Sequence, residues 1–188
     1  HIKVVKYLKM LNDECHHLLE NRVFLYKLFN KKKEKEDCAS VAHVVTVTWN
    51  ETYKGIVNDD FLNGLYENEE QRANNSYNNF SEKDNHQLVL EVEINFGFVN
   101  VRATDDTDYD YCGEIYAIYI IGNYKGKGFG KKLFEAGITE LKKMDLKDDS
   151  WGLANNPSNE FYKHMSDRLI KTRIFEKLQL PENIYYFD

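Results

Sequence analysis

The sequence has 188 residues and a mass of 22.2 kDa, with 25 basic and 31 acidic side chains, which gives a formal charge of −6 at neutral pH. This length fits one domain with a sizeable core, and a hydrophobic share of 42% excludes a disordered chain. No apolar run reaches the roughly 18 residues of a membrane span, and the negative charge disfavours nucleic acid. We therefore expect neither a membrane nor a nucleic-acid partner.

The cysteines and histidines argue against a disulfide framework and against a metal site. Cys15, Cys38 and Cys112 are an odd number of cysteines with no motif spacing between them. The histidines likewise show no ligand spacing, so we expect no metal. Unpaired cysteines are typical of a reducing compartment, and we predict a cytoplasmic location.

The N-terminal segment has a helical pattern followed by strand formers. Apolar residues recur at steps of three and four up to Asn21, which predicts a helix. Val23–Phe29 is rich in residues that favour strands, and the mixed charges of Lys31–Glu36 predict a solvated turn or an exposed helix start. We therefore assign an extra N-terminal helix to residues 1–22 and the main domain to residues 23–188.

The next segment is ambiguous between strand and helix. Val41–Thr48 is rich in β-branched residues and locally resembles a strand. An apolar stripe of helical spacing runs through the same residues and continues to Trp49 and Tyr53, and Ser40 can cap its start. We therefore predict a helix here.

The rest of the chain alternates short helices with strands. In chain order we predict a short helix at Asp59–Leu65, helix fragments and loop over residues 67–85, a hairpin of Gln87–Glu93 and Phe96–Arg102, an acidic loop at Thr104–Asp110, a strand at Glu114–Ile121, a helix that ends near Met144, a strand at Trp151–Ala154, a helix at Ser158–Met165, and closing strands at Leu169–Phe175 and Ile184–Phe187. The strand that begins at Glu114 is apolar almost throughout, which indicates burial on both faces.

A glycine-rich turn follows this buried strand and leads into a helix. Gly126, Gly128 and Gly130 stand at alternate positions, with lysines around them. Glycine lets the backbone approach a ligand closely, and the free amides at a helix N-terminus point at anions. The pattern predicts a phosphate-bearing ligand, although a glycine-rich turn without any ligand is an equal alternative for this motif alone.

Spacing excludes two common phosphate loops. A Walker loop needs Ser or Thr after its Gly-Lys pair, but Lys131 and Lys132 are followed by Leu133. A Rossmann fingerprint needs a glycine three residues after its second glycine, and Lys131 occupies that place after Gly128.

Three motifs together resemble the GNAT superfamily of acetyl-CoA-dependent N-acetyltransferases. Lys125-x-x-Gly128-x-Gly130 resembles the signature R/Q-x-x-G-x-G/A. Asn155–Tyr162 is similar to the family's second motif, an Asn, a small residue three positions later, and Phe-Tyr on a helix. Trp49–Ile56 is similar to the first helix and following loop of many members. The resemblance covers residues 23–188 and implies an α/β (α+β) fold with a central, mostly antiparallel mixed sheet of six to seven strands flanked by helices.

The resemblance also implies a set of residues that bind acetyl-CoA. Pantetheine would hydrogen-bond along a bulged fourth strand that splays from the fifth, beside the backbone of Ile118, Tyr119 and Ile120. The pyrophosphate would rest on the amides of Gly126, Lys127, Gly128, Phe129, Gly130 and Lys131, with Lys125 at the entrance. Asn155 would reach the pantetheine arm, and Tyr162 would lie beside the sulfur.

The catalytic roles follow from the same resemblance. Strand amides near Ile120 can donate to the developing oxyanion, and Tyr162 can protonate the departing thiolate. Glu114 stands where histone acetyltransferases of this superfamily carry a general base; a carboxylate that merely faces water, with a water chain as the base, is an equal alternative. Trp49 and Tyr53 can line the acceptor site, although aromatic residues at helical spacing are more often core.

Three positions depart from the family pattern. Lys125 replaces the usual Arg or Gln and loses the planar fork of Arg. Gly122 stands where Pro is common, and Ser166 with Asp167 replaces a glycine-rich turn. These departures leave open a CoA-binding sensor or scaffold that transfers acetyl groups weakly.

The predicted reaction is direct acetyl transfer from acetyl-CoA to a primary amine, without a covalent enzyme intermediate. The negative chain favours a cationic small molecule, such as a polyamine or an aminoglycoside, over a protein or peptide amine, which stays an alternative. The resemblance also allows a homodimer.

Overall fold

One seven-stranded sheet organises the computed structural model, which describes residues 29–83, 85–91, 95–103, 112–144, 147–153, 156–165, 168–176 and 178–186. The strands are β1 (Phe29–Lys32), β2 (Gln87–Glu91), β3 (Asn95–Ala103), β4 (Cys112–Ile120), β5 (Lys147–Leu153), β6 (Arg168–Phe175) and β7 (Leu180–Tyr186). Their order in the sheet is β1-β2-β3-β4-β5-β7-β6. Every neighbouring pair is antiparallel except β4 and β5, which are parallel, so the predicted mixed sheet is confirmed.

The described residues contain five α-helices, which are α1 (Cys38–Tyr53), α2 (Asp59–Glu67), α3 (Glu69–Asn78), α4 (Phe129–Lys143) and α5 (Asn159–Met165). Single 3-10 turns occur at Lys35–Asp37 and Gly122–Tyr124. The helix prediction for the β-branched segment is confirmed, because α1 buries Val44 against the sheet and satisfies the Thr48 hydroxyl at the Val44 carbonyl oxygen, 2.6 Å away. Of the helix fragments and loop expected over residues 67–85, the structure has one helix, α3, followed by loop.

The charged run after Phe29 has two parts: Lys35–Asp37 is a 3-10 turn that leads into α1, as expected of a helix start, whereas the preceding lysines do not form a turn. Lys31 and Lys32 belong to β1 and pair with β2, and Lys33 is buried. The ammonium of Lys31 lies 3.2–3.3 Å from three carboxylates, those of Glu34 and Asp37 nearby in the chain and that of Glu91 on β2. The predicted N-terminal helix, the strand residues before Phe29 and the acidic loop at 104–110 lie outside the described residues.

Helices cover both faces of the sheet. On one face α4 buries Phe129, Leu133 and Leu141 in the largest apolar cluster of the described residues. The approach is close, because a Cβ on Gly137 would lie 3.0 Å from the Cγ2 of Val99. On the opposite face α1 packs over β2 and β3, which leaves room for a cavity between α1 and the sheet.

Strand β4 carries the two irregularities that shape the site. Its pairing with β5 ends at Ile115, opposite Ser150, so the second half of β4 pairs with no described residue on that side. Its register with β3 shifts at Tyr116, which is an extra residue in β4 and therefore a β-bulge. The splay and the bulge that the resemblance implied are both present.

Candidate functional site

A cavity of about 940 Å³ lies between α1 and the sheet. Its walls come from α1, α2, α3, α5 with the turn before it, and the strands β2, β3, β4, β6 and β7, and the glycine-rich loop forms part of its lining. It extends from Lys33 beside β1, past the splayed half of β4, to Arg173 and Glu182 on β6 and β7. The cavity therefore connects the predicted coenzyme residues with side chains that the sequence did not single out.

The glycine-rich loop presents backbone to this cavity. Gly126 and Gly128 have φ of +73° and +83°, and a Cβ on either would meet no atom within 4 Å. Gly128 is the N-cap of α4, whose first amides have no partner within the helix. Gly130 lines the cavity as well and also allows close packing, because a Cβ there would lie 3.2 Å from the Phe161 ring. Open backbone with free amides is the arrangement that binds a pyrophosphate.

The lysines of the loop are distributed around its entrance. Lys125 lines the cavity, and its Nζ donates to the Thr52 hydroxyl over 3.4 Å. Lys131 also lines the cavity and forms a long ion pair of 3.8 Å with exposed Glu135. Lys127 is exposed, with its Nζ 6.0 Å from the centre of the Tyr124 ring. All three cations are thus near the loop, and two of them face the cavity.

The departure at Gly122 has a structural counterpart. The Gly122 amide donates a 2.8 Å hydrogen bond to Glu51 Oε2, which ties the loop to the last turn of α1. A Cβ at this position would lie 3.0 Å from both carboxylate oxygens of Glu51. A proline has no amide hydrogen, so it cannot make this bond. The departures at 166 and 167 lie outside the described residues.

Alternate residues of β4 direct their backbone N–H and C=O groups toward β3 and toward the gap beside β5. The Ile121 amide donates to the Phe96 carbonyl oxygen at 3.0 Å, so Tyr119, two residues earlier, also directs its backbone groups at β3. The N–H and C=O groups of Ile118 and Ile120 then point into the gap left by β5. The side chain of Tyr119 contributes to the cavity wall instead.

Three tyrosines from three elements line the cavity, namely Tyr53 of α1, Tyr119 of β4 and Tyr162 of α5. Burial is the main cause that raises the pKa of each, and the neighbouring tyrosines add to it, so all three hydroxyls stay protonated at neutral pH. Within the described residues the Tyr162 hydroxyl forms no hydrogen bond. Its ring stacks on Tyr185 with centroids 5.8 Å apart, which fixes its direction.

Asn156 is a cavity residue that sequence reasoning missed. It is 6% exposed, its Nδ2 donates to the Tyr53 hydroxyl at 3.0 Å, and its Oδ1 accepts from the Ser158 amide at 2.8 Å. The resemblance pointed to the preceding residue, Asn155, which lies outside the described residues. Two adjacent asparagines were visible in the sequence, but only the structure assigns the contacts of the second.

Glu114 does not face water, which overturns that part of the alternative. It is 3% exposed and accepts a hydrogen bond from the Nε of Arg102. The bulge at Tyr116 places Glu114 on the same face as Ala117, because Asn100 and Arg102 are their partners on β3. The guanidinium of Arg102 also lies 4.4 Å from the centre of the Tyr116 ring. The carboxylate is thereby held at the wall of the cavity by its hydrogen bond with Arg102.

Trp49 and Tyr53 are core and cavity residues at once. The Trp49 ring lies 4.7 Å from Tyr53, 5.5 Å from Phe61 and 6.5 Å from Tyr119, measured between centroids. Both residues also line the cavity. The two alternatives of the sequence are therefore compatible.

The described part of the chain gives no support for two other kinds of site. It contains no group of three His, Cys, Asp or Glu side chains arranged to hold a metal ion. Among its helices, none combines the length and the apolar character that crossing a membrane requires.

Comparison with known proteins gives a consistent result. Residues 45–166 match the acetyltransferase (GNAT) family. The uncharacterized N-acetyltransferase YuaI of Bacillus subtilis (strain 168) is 28% identical over 154 residues, or 78% of this chain and 83% of that protein.

Solved structures share the fold. PaiA N-acetyltransferase from Thermoplasma acidophilum, in complex with coenzyme A, has a TM-score of 0.63 at 18% identity over 86% of this chain and 99% of its own. Ribosomal-protein-S18-alanine N-acetyltransferase from Escherichia coli has a TM-score of 0.57 at 14% identity over 85% and 92%.

Proposed function

Because this chain belongs to the GNAT family of acetyltransferases, we propose that it transfers the acetyl group of acetyl-CoA to the primary amine of a small molecule. The observation that supports this most directly is the gap beside Ile118 and Ile120, which opens onto one cavity together with the glycine-rich loop and Tyr162. Acetyl-CoA supplies the activated acyl group. The residues of this chain would bind acetyl-CoA, polarise its thioester, accept a proton from the amine and donate a proton to the departing thiolate.

Binding uses main-chain groups. The amides of the loop and of the first turn of α4 would hold the pyrophosphate, with Lys125 and Lys131 adding charge at the entrance. The backbone of Ile118 and Ile120 would hydrogen-bond the pantetheine arm like an added strand. Asn155 remains a proposed contact of that arm.

Polarisation of the thioester needs a donor at the same edge. The amide of Ile118 or Ile120 would donate to the carbonyl oxygen, where negative charge develops as the amine attacks. A strand edge suits this role, because its amides are already fixed in direction and need no reorganisation during the reaction.

The acid and the base lie at different distances from this edge. Tyr162 lines the cavity with a protonated hydroxyl and would give its proton to the departing thiolate. Glu114 precedes Ile118 by four residues, or about 13 Å along the strand. A carboxylate at that distance cannot reach the amine directly, so Glu114 would receive its proton through water.

The acceptor would be small because α1, α2 and α3 all contribute walls to the cavity and so limit the space beside β4. The net charge of the chain ranks polyamines and aminoglycosides first, and that ranking stays a prediction, as do a homodimer and a cytoplasmic location. The test measures release of the CoA thiol from acetyl-CoA with a panel of primary amines, beside peptides with free N-termini. Release with peptides alone would refute the small-molecule acceptor. Binding of acetyl-CoA without release would favour a CoA sensor.

A further inference from the structure

Four polar side chains line the end of the cavity beside β1, and we call this group the distal pocket. It consists of Lys33 after β1, Gln87 at the start of β2, and Arg72 and Ser76 on α3. None of these residues belongs to the coenzyme site. Two of the four are cations that the chain has turned inward.

Lys33 is buried without a carboxylate. It is 8% exposed, its Nζ donates to the Ser76 hydroxyl at 3.0 Å, and the Phe80 ring lies 5.8 Å from it. In the part of the chain that the structure describes, Lys33 forms no ion pair. An ammonium removed from water is costly unless an anion compensates it. One hydroxyl and a ring do not supply that compensation.

Arg72 and Gln87 add hydrogen-bond donors that described residues do not fully use. Arg72 gives Nη2 to the Thr46 hydroxyl and the Leu65 carbonyl oxygen, and its buried Nε has no partner. Gln87 is 9% exposed, and no described residue hydrogen-bonds its side-chain amide. The acid that acts on Arg72, Glu69, lies beyond ion-pair distance of it and 3.1 Å from His43 Nδ1. The distal pocket therefore has more donors than acceptors.

The distal pocket is connected to the thioester edge by one row of the sheet. Gln87 pairs with Asn100, Asn100 pairs with Ala117, and the Lys33 amide donates to the Gln87 carbonyl oxygen. Residues directly opposite one another point to the same face, and all four line the cavity. At about 4.8 Å per strand, Lys33 lies roughly 14 Å from Ala117, which adjoins Ile118.

We propose that the acceptor carries a carboxylate which binds in the distal pocket, while its amine lies at the thioester edge of β4. The inference rests on the proposed function, since it identifies the acceptor of that same site. It departs from the ranking drawn from net charge. The total charge of the chain is negative, but the pocket presents two cations to whatever fills it.

The first test compares acceptors that differ only in charge. The probes are 4-aminobutanoate, 8-aminooctanoate and 12-aminododecanoate, each beside its neutral carboxamide, with spermidine as the polyamine representative. We expect one carboxylate of the series to have a KM at least tenfold below that of its carboxamide, because only the carboxylate can pair its charge with the cations of the distal pocket. Equal values throughout, or a preference for spermidine, would overturn the proposal.

The second test removes the charge of the pocket. Lys33→Met keeps the aliphatic stem against Phe80, and Lys33→Arg keeps the charge. We expect Lys33→Met to raise the KM for the preferred carboxylate about tenfold and to leave that for its carboxamide unchanged, with Lys33→Arg near the parent. Lys35→Met is the matched control, because Lys35 contacts Tyr77 outside the cavity. An equal loss for carboxylate and carboxamide would show a merely structural role and refute the proposal.

A binding measurement separates this inference from the reaction itself. Calorimetry of the three aminocarboxylates with the CoA-bound protein requires no turnover. Heat with the parent, lost in Lys33→Met and kept in Lys35→Met, would support the distal pocket even if no amine were acetylated. Turnover of neutral amines without any preference for a carboxylate would instead leave the proposed function intact and refute the pocket.

Discussion

The side-chain amide of Asn156 donates a 3.0 Å hydrogen bond to the hydroxyl of Tyr53. This bond joins the turn before α5 to the last residue of α1, and both partners are buried at the cavity wall. The same asparagine accepts from the Ser158 amide and so shapes the turn that leads to Tyr162. The position of the proposed acid therefore depends on a contact between two segments about a hundred residues apart.

This contact can be tested with a double-mutant cycle. Asn156→Ala removes both hydrogen bonds of the asparagine, and Tyr53→Phe removes only the one that joins Tyr53 to Asn156. Each change is expected to lower the free energy of unfolding by about 1 kcal/mol, with a double variant that costs less than the sum. Urea unfolding of the four proteins measures the coupling. Strict additivity would show that the bond contributes nothing.

Tyr162→Phe is expected to lower kcat by roughly 10- to 100-fold, because it removes only the proposed proton donor. The affinity for acetyl-CoA should change little, as measured by calorimetry. Tyr185→Phe makes the same chemical change in the stacked partner, whose hydroxyl donates to Asn159 Oδ1 at 3.3 Å outside the cavity. If both variants lost the same activity, the loss would reflect packing and not proton transfer.

Gly128→Ala is expected to weaken acetyl-CoA binding at least tenfold, since a methyl group would project into the space over the loop. The left-handed backbone at φ +83° also costs about 1 kcal/mol of stability with any side chain. Gly55→Ala is the matched control, because Gly55 has φ +78°, equally open surroundings and a position outside the cavity. The prediction fails if both variants bind acetyl-CoA as the parent does.

Glu114→Gln is expected to lower kcat by about 10- to 100-fold at neutral pH, because it removes the proposed proton acceptor. At a pH above the pKa of the acceptor amine the reaction needs no base, so the variant should approach the parent there. A pH–rate profile measures this convergence. Glu140→Gln is the control, since Glu140 is a buried carboxylate paired with Lys143 outside the cavity. A constant deficit at every pH would exclude a role as base.

The buried tyrosines predict a loss of stability at alkaline pH. Burial raises the pKa of Tyr53 in the native state, whereas in the unfolded chain the group titrates near pH 10. Above pH 10 the unfolded state therefore loses a proton that the native state keeps, and the free energy of unfolding falls by about 1.4 kcal/mol per pH unit for each such group. Below pH 10 the effect is absent.

Tyr53→Phe should reduce the fall in the free energy of unfolding above pH 10 by the contribution of one tyrosine. Urea unfolding from pH 8 to 11 measures this fall. Tyr66→Phe is the comparison, because Tyr66 is 55% exposed and its hydroxyl meets water in both states. A slope that Tyr53→Phe leaves unchanged would contradict the assignment.

The sequence by itself determined the elements whose signal is local. The stripe through Val41 and Tyr53 predicted α1 correctly, since helical spacing outweighed β-branched composition. The glycines at 126 and 128 predicted an anion-binding loop, because only a positive φ and an open backbone require glycine there. The motif order then identified the family, and with it the fold and the coenzyme.

Only the tertiary structure decided which side chains meet. The bulge at Tyr116 turns Glu114 toward the cavity, and the pairing of β3 with β4 brings Arg102 to it, but neither register nor bulge is visible in the sequence. Lys33 was assigned to solvent with its charged neighbours, yet the sheet buries it beside Gln87 and Ser76. Local composition reports what a residue prefers, whereas burial depends on partners that are distant in the chain.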